Sequence, residues 1–319
     1  MLGTLPDDVR AVLDRFVTTE YTTLDAAGQP ITWPVTPYPH PEGRCIDVTT
    51  GLGSPRKARD AQANPYVALL FSEPRGSGLA EPPMVLVQGV ADVDERDLDA
   101  NAERYKRELL AKLPATRGTM PPKPLHRFMD WYFKRIYVHV RPERVYVWPR
   151  GDIAGEPQLY DSRLEEVRSG HSEEPEAAHP EPVGGTVAWD DRMDELGRLY
   201  PSAVVSLTAP DGFPFSVRVP VTVDAPARRI RVGGAPVGVP WQPGLACVCA
   251  HAHAPDFSWQ RNFHVRGDLV RDGEAWAVVP RKLVGGFELP PDSGLRHQLA
   301  TARASLRYRK RAKRELARR

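Results

Sequence analysis

Residues 6–93 and 189–270 present the same succession of pieces in the same order, and that repeat limits the fold more than any other feature of the chain. Each begins with a stretch that reads as a short amphipathic helix, Pro6–Phe16 and Trp189–Tyr200. A hairpin follows. In the first copy it is Tyr21–Leu24, a turn at Asp25–Gly28, and Ile31–Thr36. In the second it is Val204–Leu207, Ala209–Gly212, and Phe215–Thr222. Gly28-Gln29-Pro30 matches Gly212-Phe213-Pro214, and Pro34-Val35-Thr36 matches Pro220-Val221-Thr222, which needs a two-residue insertion. Then Cys45–Thr50 answers Arg229–Gly234, Tyr66–Phe71 answers Leu245–His251, and Leu86–Val93 answers Phe263–Val270, with Gly89 opposite Gly267. An ordered repeat of this length is read as an internal duplication of one β-rich unit.

The copies differ most after the third strand. In the first, Gly51-Leu52-Gly53 leads into Ser54, which stands where an N-cap belongs, and Pro55, which stands at the first helical position. A short helix to Ala63 follows, ended by Asn64-Pro65. Thr49, Thr50, Ser54, Arg56, Lys57 and Arg59 thus gather at a helix N-terminus, where free N–H groups and the positive end of the dipole favour a phosphate or another small anion. An ordinary capped helix with solvated cations reads the same way from sequence, and the glycines match neither a Walker A loop nor a GxGxxG fingerprint. In the second copy the same place reads APVGVPWQPG, with no Lys, Arg or helical pattern.

The first half closes with Met84–Val93, helical patterns at Asp97–Leu113 and Leu125–Lys134, and two short strands, Ile136–Val140 and Arg144–Trp148, separated at Pro142. Ser169–Gly185, rich in Glu and Pro, is expected to be an extended or disordered linker. The chain therefore divides into four parts: a β-rich unit over 1–150 that carries the candidate anion site, an acidic, Pro-rich linker over 151–186, a degenerate second copy over 187–296 and a basic helix or tail over 297–319.

Three cysteines, with Cys247 and Cys249 on one strand, argue against a disulfide framework and for a reducing cytosol. No apolar run is long enough to span a bilayer, and the N-terminus does not read as a signal peptide. Net charge is +2, but Arg303–Arg319 holds nine Lys/Arg and one Glu, so that stretch carries +8 and the rest −6. The tail is expected to be a solvated helix or a frayed end, and nucleic acid is not expected as a partner. Cys247, Cys249, His251 and His253 share a strand face, but neighbours two apart are ~6.6 Å apart, too far for all four to hold one metal. No metal site is assigned, and His139 and His264 are expected to be structural.

Taken together, YTTLDAAGQPITWPV, IDVTTGLGSPRKARDAQANPYVALLF, VLVQGVADV and YVHVRPERVYVW resemble the pyridoxamine-phosphate-oxidase-like split β-barrel family, which includes flavin- and deazaflavin-dependent oxidoreductases. The resemblance covers about residues 6–150, with a weaker echo over 187–290, and rests on the order of the pieces. It implies a mainly β (α+β) fold of two tandem split barrels with short flanking helices, paired as an intrachain pseudo-dimer. It implies FMN or the deazaflavin F420 across the groove between barrels, FMN being the commoner in the family and F420 the choice in an actinobacterium; haem ranks last. By the same resemblance Thr49, Thr50, Ser54, Arg56 and Lys57 would hold the phosphate, and Trp33, Pro34, Val35 and Thr36 would lie along the ring system. The implied function is a cytoplasmic oxidoreductase moving a hydride to or from a small organic substrate, with no catalytic residue assigned. A further homodimer stays open. ITWPVTPY stands where the pyridoxamine oxidases carry Arg-x-Val-Leu-Leu-Lys, so pyridoxamine phosphate is not the expected substrate. The rival readings are a cofactor-free binding or scaffold protein and a nucleic-acid-associated protein acting through the basic tail.

Overall fold

The computed structural model describes residues 2–118, 130–161, 187–286, 288–289 and 295–318, with only the backbone described over 295–304. The linker reading at Ser169–Gly185 lies outside the described residues, as does most of Leu125–Lys134.

The first unit contains α1 (Asp7–Arg15), β1 (Thr19–Leu24), β2 (Pro30–Val35), β3 (Tyr38–Pro39), β4 (Ile46–Gly51), α2 (Arg56–Ala63), β5 (Tyr66–Phe71), β6 (Met84–Asp94), α3 (Leu98–Lys112), α4 (Asp130–Phe133), β7 (Arg135–Trp148) and β8 (Gln158–Asp161). The second contains β9 (Ser202–Thr208), β10 (Pro214–Asp224), β11 (Arg229–Val232), β12 (Gly244–His253), β13 (Gln260–Asp272) and β14 (Ala275–Gly285). The helix α5 (Leu295–Leu316) follows. In the first unit the sheet runs β2-β1-β5-β6-β7-β4-β3, with β8 added beside β7; in the second, β10-β11-β14-β13-β12-β9 closes into a barrel. The architecture is mainly β: a closed six-stranded barrel and a sheet that forms half of another. Because β8 extends the first sheet, that unit reaches past the expected boundary at residue 150.

The pairing registers repeat. Thr22 faces Thr32 and Ser206 faces Ser216; Ile46 faces Val140 and Ile230 faces Val278; Gly89 faces Pro142 and Gly267 faces Pro280. By this register Pro34, opposite Glu20, corresponds to Arg218, opposite Val204, so the expected match to Pro220 and its insertion are not needed. Both long strand pairs, β6 with β7 and β13 with β14, shift register at the glycine, between Gln88 and Gly89 and between Arg266 and Gly267. A Cβ on Gly89 would run into the Arg141 carbonyl, and one on Gly267 into that of Val279. The bulge also explains why Pro142 does not split β7 into two strands: a residue without an N–H is tolerated where the ladder is already interrupted. Trp189–Tyr200 corrects a second expectation. Only a single-turn 3₁₀ segment, Asp191–Glu195, forms there, because Gly197 takes φ +79° against the β10 backbone and ends it.

The near-continuous apolar strands mark the junction between the units. On β5, Val67, Leu69 and Phe71 face the core of the first unit, whereas Ala68 and Leu70 face the barrel of the second. On β6 and β7 the same alternation sends Val85, Val87, Val145 and Val147 inward and Met84, Leu86, Tyr146 and Trp148 outward, into one cluster with Val205, Phe215, Val248 and Phe263. Strands buried on both faces need not alternate in polarity. Each large side chain so buried contributes roughly 1.5–3 kcal/mol, so the units are held by a shared core.

Candidate functional site

Polar side chains at the junction form three groups. At its centre the hydroxyls of Thr22, Thr32, Ser206 and Ser216 bond one another at 2.7–2.9 Å between neighbours, all fully buried. These are two register-matched pairs, one from each unit. Hydroxyls that both donate and accept satisfy one another in a dry interface.

Beside them lies an ion network spanning both units. Glu20 of β1 is fully buried. Its carboxylate accepts from Arg218 of β10 at 2.9 Å and from the Ser72 hydroxyl at 2.9 Å, and lies 2.6 Å from His251 Nε2 on β12. Burial alone would push the Glu20 pKa up; the His251 contact, the Arg218 charge and Ser72 outweigh it and hold it below the usual carboxylate range. Next in line, the Thr18 hydroxyl bonds His253 Nε2 at 3.0 Å. Both histidines are buried, because β12 continues under the first unit. Cys247 and Cys249 are also fully buried, and burial raises both thiols, so they act as small apolar groups.

The third group holds the sequence-predicted residues Trp33 and Lys57. The Trp33 ring, on β2, lies 4.3 Å from the His264 ring of β13, centroid to centroid. Lys57 of α2 places its ammonium 5.8 Å from the Trp33 centroid. It is half-buried, and no carboxylate among the described residues pairs with it. Loss of water, then the Arg135 charge, pushes its pKa down to about 8. His264 is pushed down to about 3, first by burial and then by Arg266, with Arg56 and Lys57 adding to it, so the imidazole stays neutral. Arg266 Nε donates to its Nε2 at 3.2 Å. Arg56 is exposed and pairs with Asp25 and Asp60.

The other predicted residues are placed differently. Pro34 and Val35, at the end of β2, and Thr36 beyond it line a small cavity of about 70 Å³ with Thr18, His251, His253 and Asn262. Thr49 and Thr50 are adjacent on β4, so their side chains leave opposite faces of the sheet. The Thr50 hydroxyl donates to the Ser54 carbonyl at 2.6 Å. Pro55, not Ser54, occupies the N-cap position of α2, and no side chain caps it. The amide-rich turn is closed: Leu52 N donates to Lys134 O, Gly53 N to Trp131 O and Ser54 N to Gly51 O. A Cβ on Gly53 would lie 2.7 Å from Tyr308 Cβ of α5, and Tyr308 stacks on Trp131 at 5.3 Å.

The fit to a flavin or deazaflavin is therefore divided. The side chains suit one, with an ammonium that no described carboxylate pairs and an indole face for a ring. The turn amides do not, being already bonded, and the cavity is well below the ~300–1,000 Å³ of a cofactor cleft. His40, Asp47 and His139 are the described residues close enough to hold a metal ion, but Asp47 already bonds His139 Nδ1 through one oxygen and Arg104 through the other. Sequence reasoning missed Glu20, Arg218 and Arg266. Glu20 carried a signal: a lone acid in a strand of threonines and apolar residues, TEYTTL, demands a buried partner.

No protein-family model and no curated protein matches this chain. Among solved structures it is similar to an F420 reductase, at 18% identity and TM-score 0.33, over 44% of this chain and 98% of that one. It is similar to general stress protein 26 of Bacillus anthracis, at 15% identity and TM-score 0.32, over 49% and 96%. It is also similar to a Clostridium acetobutylicum protein of the pyridoxinephosphate oxidase family, at 9% identity and TM-score 0.34, over 49% and 94%.

Proposed function

We propose that this chain is a flavin-type oxidoreductase whose two units act as an intrachain pseudo-dimer and bind FMN or F420 at the junction beside Trp33. The carrying observation is the half-buried Lys57 ammonium, which has no carboxylate partner among the described residues and stands next to an indole face. A buried cation without an anion is costly, and a ligand phosphate would remove that cost. The resemblance of residues 6–150 to the split-barrel oxidoreductases supports the same reading.

In this reading Lys57, with Arg56 and Arg266, neutralises the ligand's phosphate or other anionic part. Trp33 supplies the flat surface that fixes the ring plane, and neutral His264 holds the indole in place from the second unit. Pro34, Val35 and Thr36 shape the neighbouring cavity, where a small organic substrate would approach. Thr49 and Thr50 cannot both serve one phosphate from opposite sheet faces, and Ser54 contributes only if the turn opens. A bound flavin or deazaflavin would supply the hydride chemistry; the protein supplies charge, orientation and exclusion of water. Titration of the purified protein with FMN and with F420, read by ligand fluorescence, tests this. Saturable binding of either, lost in Lys57→Ala and weakened in Trp33→Leu with the fold intact by circular dichroism, supports it. A folded protein that binds neither supports the cofactor-free scaffold.

A further inference from the structure

The basic C-terminal segment is a docked helix, where the sequence reading expected a solvated or frayed end. Tyr308 stacks on Trp131, Ala312 is buried in the core of the first unit, and Glu315 pairs with Arg59 of α2. These three positions, at i, i+4 and i+7, share one face of α5. A neighbouring face, centred about 120° round the helix from the docked one, carries Arg307, Lys310, Arg311 and Arg314, at i, i+3, i+4 and i+7, and Arg318 follows just past the helix end. At 100° per residue the four helical residues fall within about 100° of arc and span roughly 10 Å of helix. All five are exposed, and none pairs with a carboxylate among the described residues. Within Arg307–Arg318 the one acid, Glu315, points into the fold.

We propose that this stripe is a binding surface for the phosphate backbone of a double-stranded nucleic acid. Like charges at i, i+3 and i+4 repel and weaken a helix. This helix keeps them in register through its inward contacts, leaving a fixed line of cations with no internal counter-charge. A fixed row of cations suits phosphate oxygens, which each guanidinium can meet bidentately and the Lys310 ammonium as a point charge. A membrane surface fits less well. Among the described side chains of α5, Tyr308 and Ala312 are used for docking, and the exposed Leu306 and Leu316 lie ten residues apart and not in line.

The test uses the full chain and a fluorescein-labelled DNA duplex, with anisotropy read across a series of salt concentrations. Binding is expected at low salt with log K falling linearly in log salt. Arg307→Gln/Arg311→Gln/Arg314→Gln is expected to lower affinity on the order of 10- to 100-fold and to make the slope shallower by about 2–3. The triple Lys variant at the same positions keeps the charge and is expected to retain most of the slope; its retention shows that charge, not folding, was lost. No duplex binding at low salt overturns the proposal. So does binding that the Gln variant leaves unchanged, or preferential co-sedimentation with phosphatidylserine vesicles over capture by the duplex.

Discussion

Replacing Glu20 with Gln tests the claim that the units are locked by a charge network as well as by an apolar core. Glu20 is fully buried and Arg218 nearly so, with 14% of its side chain exposed. The amide keeps the size of the carboxylate and removes its charge. Arg218 is then left facing His251 with no anion, and its guanidinium also loses the partner that aligns it with Ser72. Removing one partner of a buried pair costs about 3–5 kcal/mol, mostly the desolvated charge left behind. For a chain of this size that is a fall in melting midpoint on the order of 10 °C. The pH dependence gives a second, independent readout. Glu20 titrates below its ordinary range in the fold. A depressed carboxylate stabilises above its unfolded pKa, and that stability is lost as pH falls through the folded value. The gap between wild type and Glu20→Gln should thus be full near neutral pH and shrink on acidification. Guanidinium denaturation of both proteins, from about pH 7 down to about pH 3, measures it. The double variant Glu20→Gln/Arg218→Met should lose less than the two singles summed, because it leaves no orphaned charge. A single-variant loss under about 1 kcal/mol, or a gap that does not narrow with acid, refutes the reasoning.

Lys57 should take up a proton when an anion binds: its pKa of about 8 must rise toward the ordinary value, so between about pH 8 and about pH 10 binding enthalpy should depend on the ionisation heat of the buffer, an effect absent in Lys57→Met. The same depressed value means that stability rises with pH through that window in the ligand-free protein, since the unfolded chain holds the proton more tightly. Gly89→Ala places a methyl group against the Arg141 carbonyl at the bulge and should destabilise by more than about 2 kcal/mol in thermal or chemical unfolding. Tyr308→Ala removes the stack on Trp131 and should lower stability by about 1–3 kcal/mol, with α5 becoming open to trypsin before the strands are cut.

The repeat, the hairpins and the two glycine bulges were legible because each has a local signature: turn residues, strand alternation, and a glycine where no side chain fits. The split of β7 at Pro142 was misread for an equally local reason, since nothing near Pro142 reveals that Gly89, fifty residues earlier, supplies the bulge that absorbs it. Residues 189–200 carry an amphipathic pattern, and only the approach of β10 to Gly197 turns it into a single tight turn. Lys57 was named from its place in the first turn of a helix, and Trp33 only through the family resemblance. Their setting was not, because Arg266 and His264 arrive from a strand more than 200 residues later. The closed turn was invisible for the same reason: its lids, Trp131 and Tyr308, come from two distant helices.

The registers give this junction two equivalent places, and the chain treats them differently. Trp33 corresponds to Val217, each facing the residue that matches across its hairpin: Trp33 opposite Tyr21, Val217 opposite Val205. His264, paired with Cys249, corresponds to Leu86, paired with Leu70. Val217 and Leu86 are both fully buried in the one shared apolar cluster. Where α2 brings Arg56 and Lys57 in the first unit, no helix lies between β11 and β12. One place therefore carries an indole, an imidazole and cations, and its counterpart is filled with aliphatic side chains. A symmetric pair of such sites would place a second ammonium in the junction with no carboxylate among the described residues to pair it, at a desolvation cost. Filling the second place with Val217 and Leu86 replaces that cost with packing. Leu86→His with Val217→Trp would rebuild the aromatic pair but not the charge, so it should overpack the core and destabilise by about 1–3 kcal/mol or more without creating a second anion site. Recovery of a second binding equivalent in that variant would overturn the argument that the cations of α2, and not the rings alone, make the site.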